Sequence, residues 1–221
     1  MVGFEASGLD ECVVGDFVAA IDDLLTRYPV LVLHRVVIAE LPGDKVVLAQ
    51  QAAPDHPGGT ESAPVELILS AAAAKDPDVA DALGSAMTSW AQAVATTAAR
   101  PVYTATVGEL GRVLDFAGGG AAQTGAQRAL IAAYLDSVDA DQRRATLGRL
   151  VRGYKQWRSR LGERSVDRGQ FDPDAAIVDA FTDVVINGGR ASDPARVLYR
   201  LLVTSAPDER GEMVSPSGQP R

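Results

Sequence analysis

Everything in this chain that is patterned as strand lies before residue 71, and everything after it is patterned as helix. Val30 to Glu40 (VLVLHRVVIAE) is apolar and β-branched and reads as a buried strand. Pro42-Gly43-Asp44 is a turn, and Lys45 to Gln51 reads as a second strand, antiparallel to the first. Pro54 to Pro64 is loop, and Val65 to Ser70 (VELILS) alternates as a third strand. One helix precedes them, from Gly15 or Asp16 to about Arg27, because Phe17, Ile21, Leu24 and Leu25 line one face and Pro29 stops it. Asp76-Pro77-Asp78 opens a helix to about Ala98. Pro101 opens another, which Gly118-Gly119-Gly120 closes. Helices then follow over Gln123 to about Leu135, Ala140 to about Arg160, Asp172-Pro173-Asp174 to Asn187-Gly188-Gly189, and Ser192-Asp193-Pro194 to about Thr204. Segregated strands and helices of this kind imply an α+β fold. With no βαβ alternation and no Gly-rich phosphate loop after a strand, Rossmann and P-loop architectures are excluded. Residues 206–221 have little to bury and read as a disordered tail, which leaves residues 1–205 as one domain.

Charge narrows the partners. With 29 acidic residues against 21 basic ones the net charge is −8, which argues against nucleic acid or an anionic membrane surface as the partner. Residues 140–170 are locally basic, with Arg143, Arg144, Arg149, Arg152, Lys155, Arg158, Arg160, Arg164 and Arg168 around Tyr154 and Trp157; this reads first as a solvated face whose Arg stems cover apolar surface. Trp90 and Trp157 stand at core-type helical positions. No apolar run approaches the roughly 18 residues of a membrane span, and no secretory signal is visible at the N-terminus. Cys12 is a single cysteine and cannot form an internal disulfide. At 221 residues the chain can bury roughly 70% of its unfolded surface and needs neither disulfide nor metal to fold.

The helix opened by Pro101 carries the most informative residues, Val107-Gly108-Glu109-Leu110-Gly111-Arg112. Val107, Leu110 and Leu114 form a core-facing stripe, and Gly108, Glu109 and Arg112 share another face. Zinc peptidases place His at i and i+4 and a general-base Glu at i+1 of one helix. Here Glu109 stands at the base position, Gly108 has no side chain to offer, and Arg112 has no lone pair to give. The two histidines, His34 and His56, are remote in sequence and read as a strand residue and a loop residue. Read by spacing alone, Glu109 and Arg112 are also an i,i+3 ion pair on a solvated face. No Gly-x-Ser-x-Gly elbow or other spacing marks a nucleophile triad.

Several collinear segments over residues 10–205 resemble the zincin-like metallopeptidase domains of actinobacterial toxin-type and WXG100-associated proteins. Tyr28 to Ala39 is similar to the family's first strand and Pro64 to Leu69 to its edge strand. Arg100 to Asp115 is similar to the stretch where the family reads Val-His-Glu-Leu-Gly-His. Asp174 to Gly188 is similar to the downstream helix that supplies the third ligand. The resemblance implies a small, mostly antiparallel sheet packed on a helical bundle, with a central degenerate active-site helix. It also implies that Glu109 is the relic base, that Gly108, Arg112 and Asp179 stand at the relic ligand positions, and that Asp183 matches a downstream acid.

Such a chain would hold no metal and no cofactor. It would be a pseudoenzyme that binds a protein or peptide partner, along Val65, Glu66, Leu67, Ile68, Leu69 and Ser70 if strand addition is used. The family link to type VII secretion leaves two locations open, cytoplasmic or exported by that route. The rival expectation is a metal-free hydrolase using Glu109 with Asp179 or Asp183 as an acid/base pair. A further expectation concerns charge: the Arg112 guanidinium should take roughly the place of the lost metal and pair with Glu109, Asp179 or Asp183.

Overall fold

The computed structural model of the chain describes residues 1–43, 45–51, 64–88, 100–139, 146–167 and 169–207. The expectations at His56, Trp90, most of the 54–64 loop, residues 89–98 and 140–145, and nearly all of the tail lie outside those residues.

The architecture is α+β. In chain order the elements are α1 (Glu11–Arg27), β1 (Arg35–Ala39), β2 (Val47–Gln51), β3 (Val65–Ser70), α2 (Ala71–Lys75), α3 (Pro77–Thr88), α4 (Pro101–Ala117), α5 (Ala121–Ser137), α6 (Leu147–Arg158), the short pair β4 (Val166–Asp167) and β5 (Gln170–Phe171), α7 (Pro173–Asn187) and α8 (Asp193–Ser205). Short 3₁₀ turns at Ser159–Leu161, Glu163–Ser165 and Gly188–Arg190 join the later helices. α1 starts about a turn before the apolar spacing from Phe17 indicates. The Asp10 side chain accepts from the amides of Cys12 and Val13, both at 3.0 Å, and so satisfies two of the amides a helix start leaves open. α6 is shorter than expected at its described end, and β4–β5 was not anticipated.

The three-stranded sheet corrects the expectation of a mostly antiparallel sheet. Its order is β1-β3-β2. β1 runs parallel to β3, with Val37 opposite Ile68, and β2 runs antiparallel to β3, with Ala49 opposite Leu67. The sheet is therefore mixed, and β2 does not pair with β1 across the Pro42-Gly43 turn. Val65–Ser70, expected at the edge, is the central strand. Burial explains the outcome: Val65, Leu67, Ile68 and Leu69 are all buried, and a run buried on both faces belongs in the middle of a sheet. β1 is exposed to half-buried along its length, which suits an edge.

Both edges are engaged. The Val2 amide donates to Val36 O and the Ile38 amide donates to Val2 O, each at 3.0 Å, along the outer side of β1. Gly3 makes this close approach possible, with φ +85° and a notional Cβ only 2.7 Å from Ile38 O. The outer side of β2 is met by α4. Strand addition by a peptide along Val65–Ser70 is thus ruled out by topology.

α4 is the central helix, as expected. Pro101 sits at its first position and Gly118 caps its end. It packs against α1, α3, α7 and β2. Val102, Val107, Leu110, Val113 and Leu114 join Phe17, Leu24, Leu67 and Leu69 in the main core. Thr106, Gly108, Glu109, Gly111 and Asp115 are buried as well, so the helix is enclosed on nearly all sides, as a core helix is. A second, smaller cluster (Leu130, Leu161, Ala176, Ala180, Leu198) joins α5, α7 and α8.

Candidate functional site

The first relic position is a helix crossing. A Cβ added to Gly108 would stand 2.9 Å from Val178 Cγ1 and 3.0 Å from Thr182 Oγ1. One added to Gly111 would stand 2.8 Å from Cβ, Cγ and Cδ1 of Phe181. Carbon atoms in contact prefer about 3.5–4.0 Å. The two glycines, three residues apart, let α7 lie unusually close to α4. The space that a histidine would need at residue 108 is filled by α7.

Glu109 points the other way, toward the sheet. The residue is 1% exposed. Its Oε2 accepts from the Ala49 amide of β2 at 2.9 Å and from Arg112 Nε at 3.1 Å. In the antiparallel pairing with β3 (Leu48 opposite Ile68), the Ala49 amide faces outward. Glu109 thus closes a backbone donor on an edge strand, a group that would be costly to bury unpaired.

Arg112 bridges two acids. Besides Glu109, its Nη1 meets Asp174 Oδ2 at 2.5 Å. Its side chain is 18% exposed, against 37% for Asp174. Burial pulls the guanidinium pKa down, but the charges of Glu109 and Asp174 outweigh that and hold it above its ordinary value. Of the three carboxylates expected around Arg112, the structure brings one, Glu109. The other partner is Asp174. The register of α7 gives the reason: residues 174, 178 and 182 fall at helical spacing on the face toward α4, where Val178 and Thr182 meet Gly108.

Asp179 and Asp183 have other tasks. Asp179 is 1% exposed, with Arg164 Nη1 3.7 Å from its Oδ1. Asp183 Oδ1 accepts from Asn187 Nδ2 at 2.7 Å, and its Oδ2 accepts from the Ser192 amide at 2.9 Å. It fixes the turn from α7 into α8. The structure also uses Asp115, which no spacing in the sequence marks. Its Oδ1 accepts from the Ala122 and Gln123 amides at 3.1 and 3.3 Å and so caps α5, whose own N-cap, Gly120, has no side chain. Burial pushes the Asp115 carboxyl above its usual value. The nearby charge of Asp174 adds to this, while the two amides and Arg112 oppose it.

His34, expected in a strand, sits in the exposed bend just before β1, where its Nδ1 accepts from the Val65 amide at 3.2 Å. The chemistry open to this assembly is narrow. A general base must reach a substrate proton, directly or through one water. Glu109 is enclosed and its Oε2 already accepts two hydrogen bonds. Among the described residues, no group of three or more His, Cys, Asp or Glu side chains is placed to hold a metal ion. An open cleft of about 680 Å³ lies elsewhere, between α5, α6 and α8, and is lined in part by Trp157, Val184, Asp193, Val197 and Arg200. None of Glu109, Arg112, Asp179 and Asp183 lines it.

Comparison with protein-family models, with curated proteins and with solved structures finds no match to this chain.

Proposed function

We propose that this chain is a catalytically inactive protein of zincin-like descent that works by binding a protein or peptide partner. The observation that carries this reading is the state of Glu109, the one residue the metal helix would need for chemistry. It is buried, held by Arg112 and bonded to the backbone of β2. A carboxylate in that position stabilises a fold and does not activate water. The packing of α7 against Gly108 adds to it, because a ligand histidine has no room there. The descent rests on the sequence resemblance over residues 10–205, and so does the link to type VII secretion. Among the described residues no helix is long and apolar enough to cross a membrane.

The test is hydrolysis of a mixed peptide library and of casein by the purified chain, with and without added zinc, beside the Glu109→Gln and Asp179→Asn variants. No turnover above the variants is expected. Turnover abolished by Glu109→Gln would restore the hydrolase reading, and its dependence on zinc would separate a metal enzyme from a carboxylate pair.

A further inference from the structure

α6 is attached by one face and open on the other. None of its residues is buried. It is held by aromatic contacts: the Tyr134 ring of α5 lies 5.6 Å from that of Tyr154 and 5.8 Å from that of Trp157. Arg158 covers the same side, its guanidinium 5.0 Å from the Phe171 ring and 5.5 Å from that of Tyr154. The rest of its circumference carries two exposed stripes at helical spacing, the first of them running alongside Tyr154 and Arg158. One is Leu147, Val151 and Lys155. The other is Arg149, Arg152 and Gln156. All six are exposed, Leu147 at 76% and Val151 at 44%. The helix contains no acid. Among the described residues, Arg149, Arg152 and Lys155 make no ion pair.

We propose that the exposed arc of α6 from Leu147 and Val151 through Lys155 to Arg152 is the docking surface of the chain, and that its occupant is an acidic amphipathic helix of a partner protein, with apolar residues a turn apart set against Leu147 and Val151 and carboxylates beside them against Lys155 and Arg152. The proposal rests on the binding reading above and names the chemistry of the partner. Charge complementarity selects the occupant. The chain as a whole carries −8, so an extended polyanion such as a nucleic acid or an anionic bilayer meets repulsion from the rest of the molecule. A short acidic helix touches the basic strip alone. The adjacent Leu147–Val151 pair suits a helix laid along the strip, anchored at i and i+4.

The probe is a fluorescein-labelled, helix-forming peptide of about 20 residues, long enough to hold some helix alone, with Leu a turn apart on one face and Glu beside them. Anisotropy titration of the full chain should give saturable binding that weakens as salt is raised. Arg152→Glu/Lys155→Glu should weaken it about tenfold or more, because lost attractions become repulsions. Leu147→Ser/Val151→Ser should weaken it too, whereas electrostatics without docking would leave that variant unchanged. All substituted residues are exposed, so unchanged circular dichroism melts serve as the fold control. No saturable binding, or equal binding by wild type and both variants, would overturn the proposal. Tighter binding to phosphatidylserine vesicles or to single-stranded DNA through the same cations would also overturn it. A chain ending at Ala206 that binds the peptide while the full chain does not would make the chain's own tail the occupant and overturn it as well. The hydrolysis assay reads a different quantity, so loss of the α6 surface and loss of the non-catalytic reading are told apart.

Discussion

Replacing Arg112 by Met removes the charge that accompanies Glu109 and keeps much of the side-chain volume. At an effective dielectric of about 20, unit charges 3.1 Å apart attract by about 5 kcal/mol. Desolvation of the guanidinium offsets part of this, and breaking a buried pair from one side costs about 3–5 kcal/mol. The second arm, to the 37%-exposed Asp174, adds a surface-type contribution of about 0–1 kcal/mol. Arg112→Met should therefore lower the unfolding free energy by about 3–5 kcal/mol in urea titrations at neutral pH. Its cause is the stranded carboxylate, so relieving that charge should restore stability. In Glu109→Gln the amide oxygen still accepts from Ala49 N. The double variant Glu109→Gln/Arg112→Met should then be more stable than Arg112→Met alone, with a coupling of at least about 2 kcal/mol. A loss below about 1 kcal/mol for Arg112→Met, or additive losses in the double variant, would refute the assignment of this pair as a buried structural unit.

The α4–α7 crossing makes a second expectation. Gly111→Ala should cost about 1–3 kcal/mol through overpacking against Phe181 Cβ, which no rotamer change can move, less the ~1 kcal/mol an alanine gains in helix propensity. Gly108→Ala should cost less, because it meets side-chain tips, and thermal melts of the pair would rank them. Asp115 gives a pH dependence. Its folded-state pKa is raised, so its contribution is most favourable below the ordinary value of about 4 and is lost as pH rises through the raised value. Asp115→Asn keeps an oxygen for the two amides and drops the charge, so the variant should gain on the wild type as pH rises above about 4 and be at least as stable at pH 7. A loss beyond about 1 kcal/mol at pH 7, with the slope unchanged, would contradict the burial argument.

Some of this was legible in the sequence and some was not, and the division follows the range of the interactions. The bounds of α4 are set by Pro101 and Gly118, local signals that act within a turn of the helix. The Glu109–Arg112 pair lies within one helical turn and was equally readable. Strand order was not. The Pro42-Gly43 turn suggested a hairpin, but pairing is decided by which run buries both faces, and that depends on the helices that cover Val65–Ser70. Asp174 escaped for a related reason. Spacing along α7 gives candidate faces, and only its packing on Gly108 and Gly111 selects the one carrying residues 174, 178 and 182. Asp179, buried on that helix beside Arg164, lies off that face.

The central claim is that α4 is a packed structural helix whose Glu109 serves the fold. Equilibrium dialysis of the purified, chelator-treated chain against micromolar zinc tests it most directly. Zinc needs several neutral nitrogen, thiolate or carboxylate donors around one point, and here Gly108 is packed against Val178, Arg112 holds Glu109, and Asp179 faces Arg164. The account predicts no stoichiometric zinc at any concentration that leaves the protein soluble. One zinc per chain, lost in both Glu109→Gln and Asp179→Asn while their folds are retained, would contradict it.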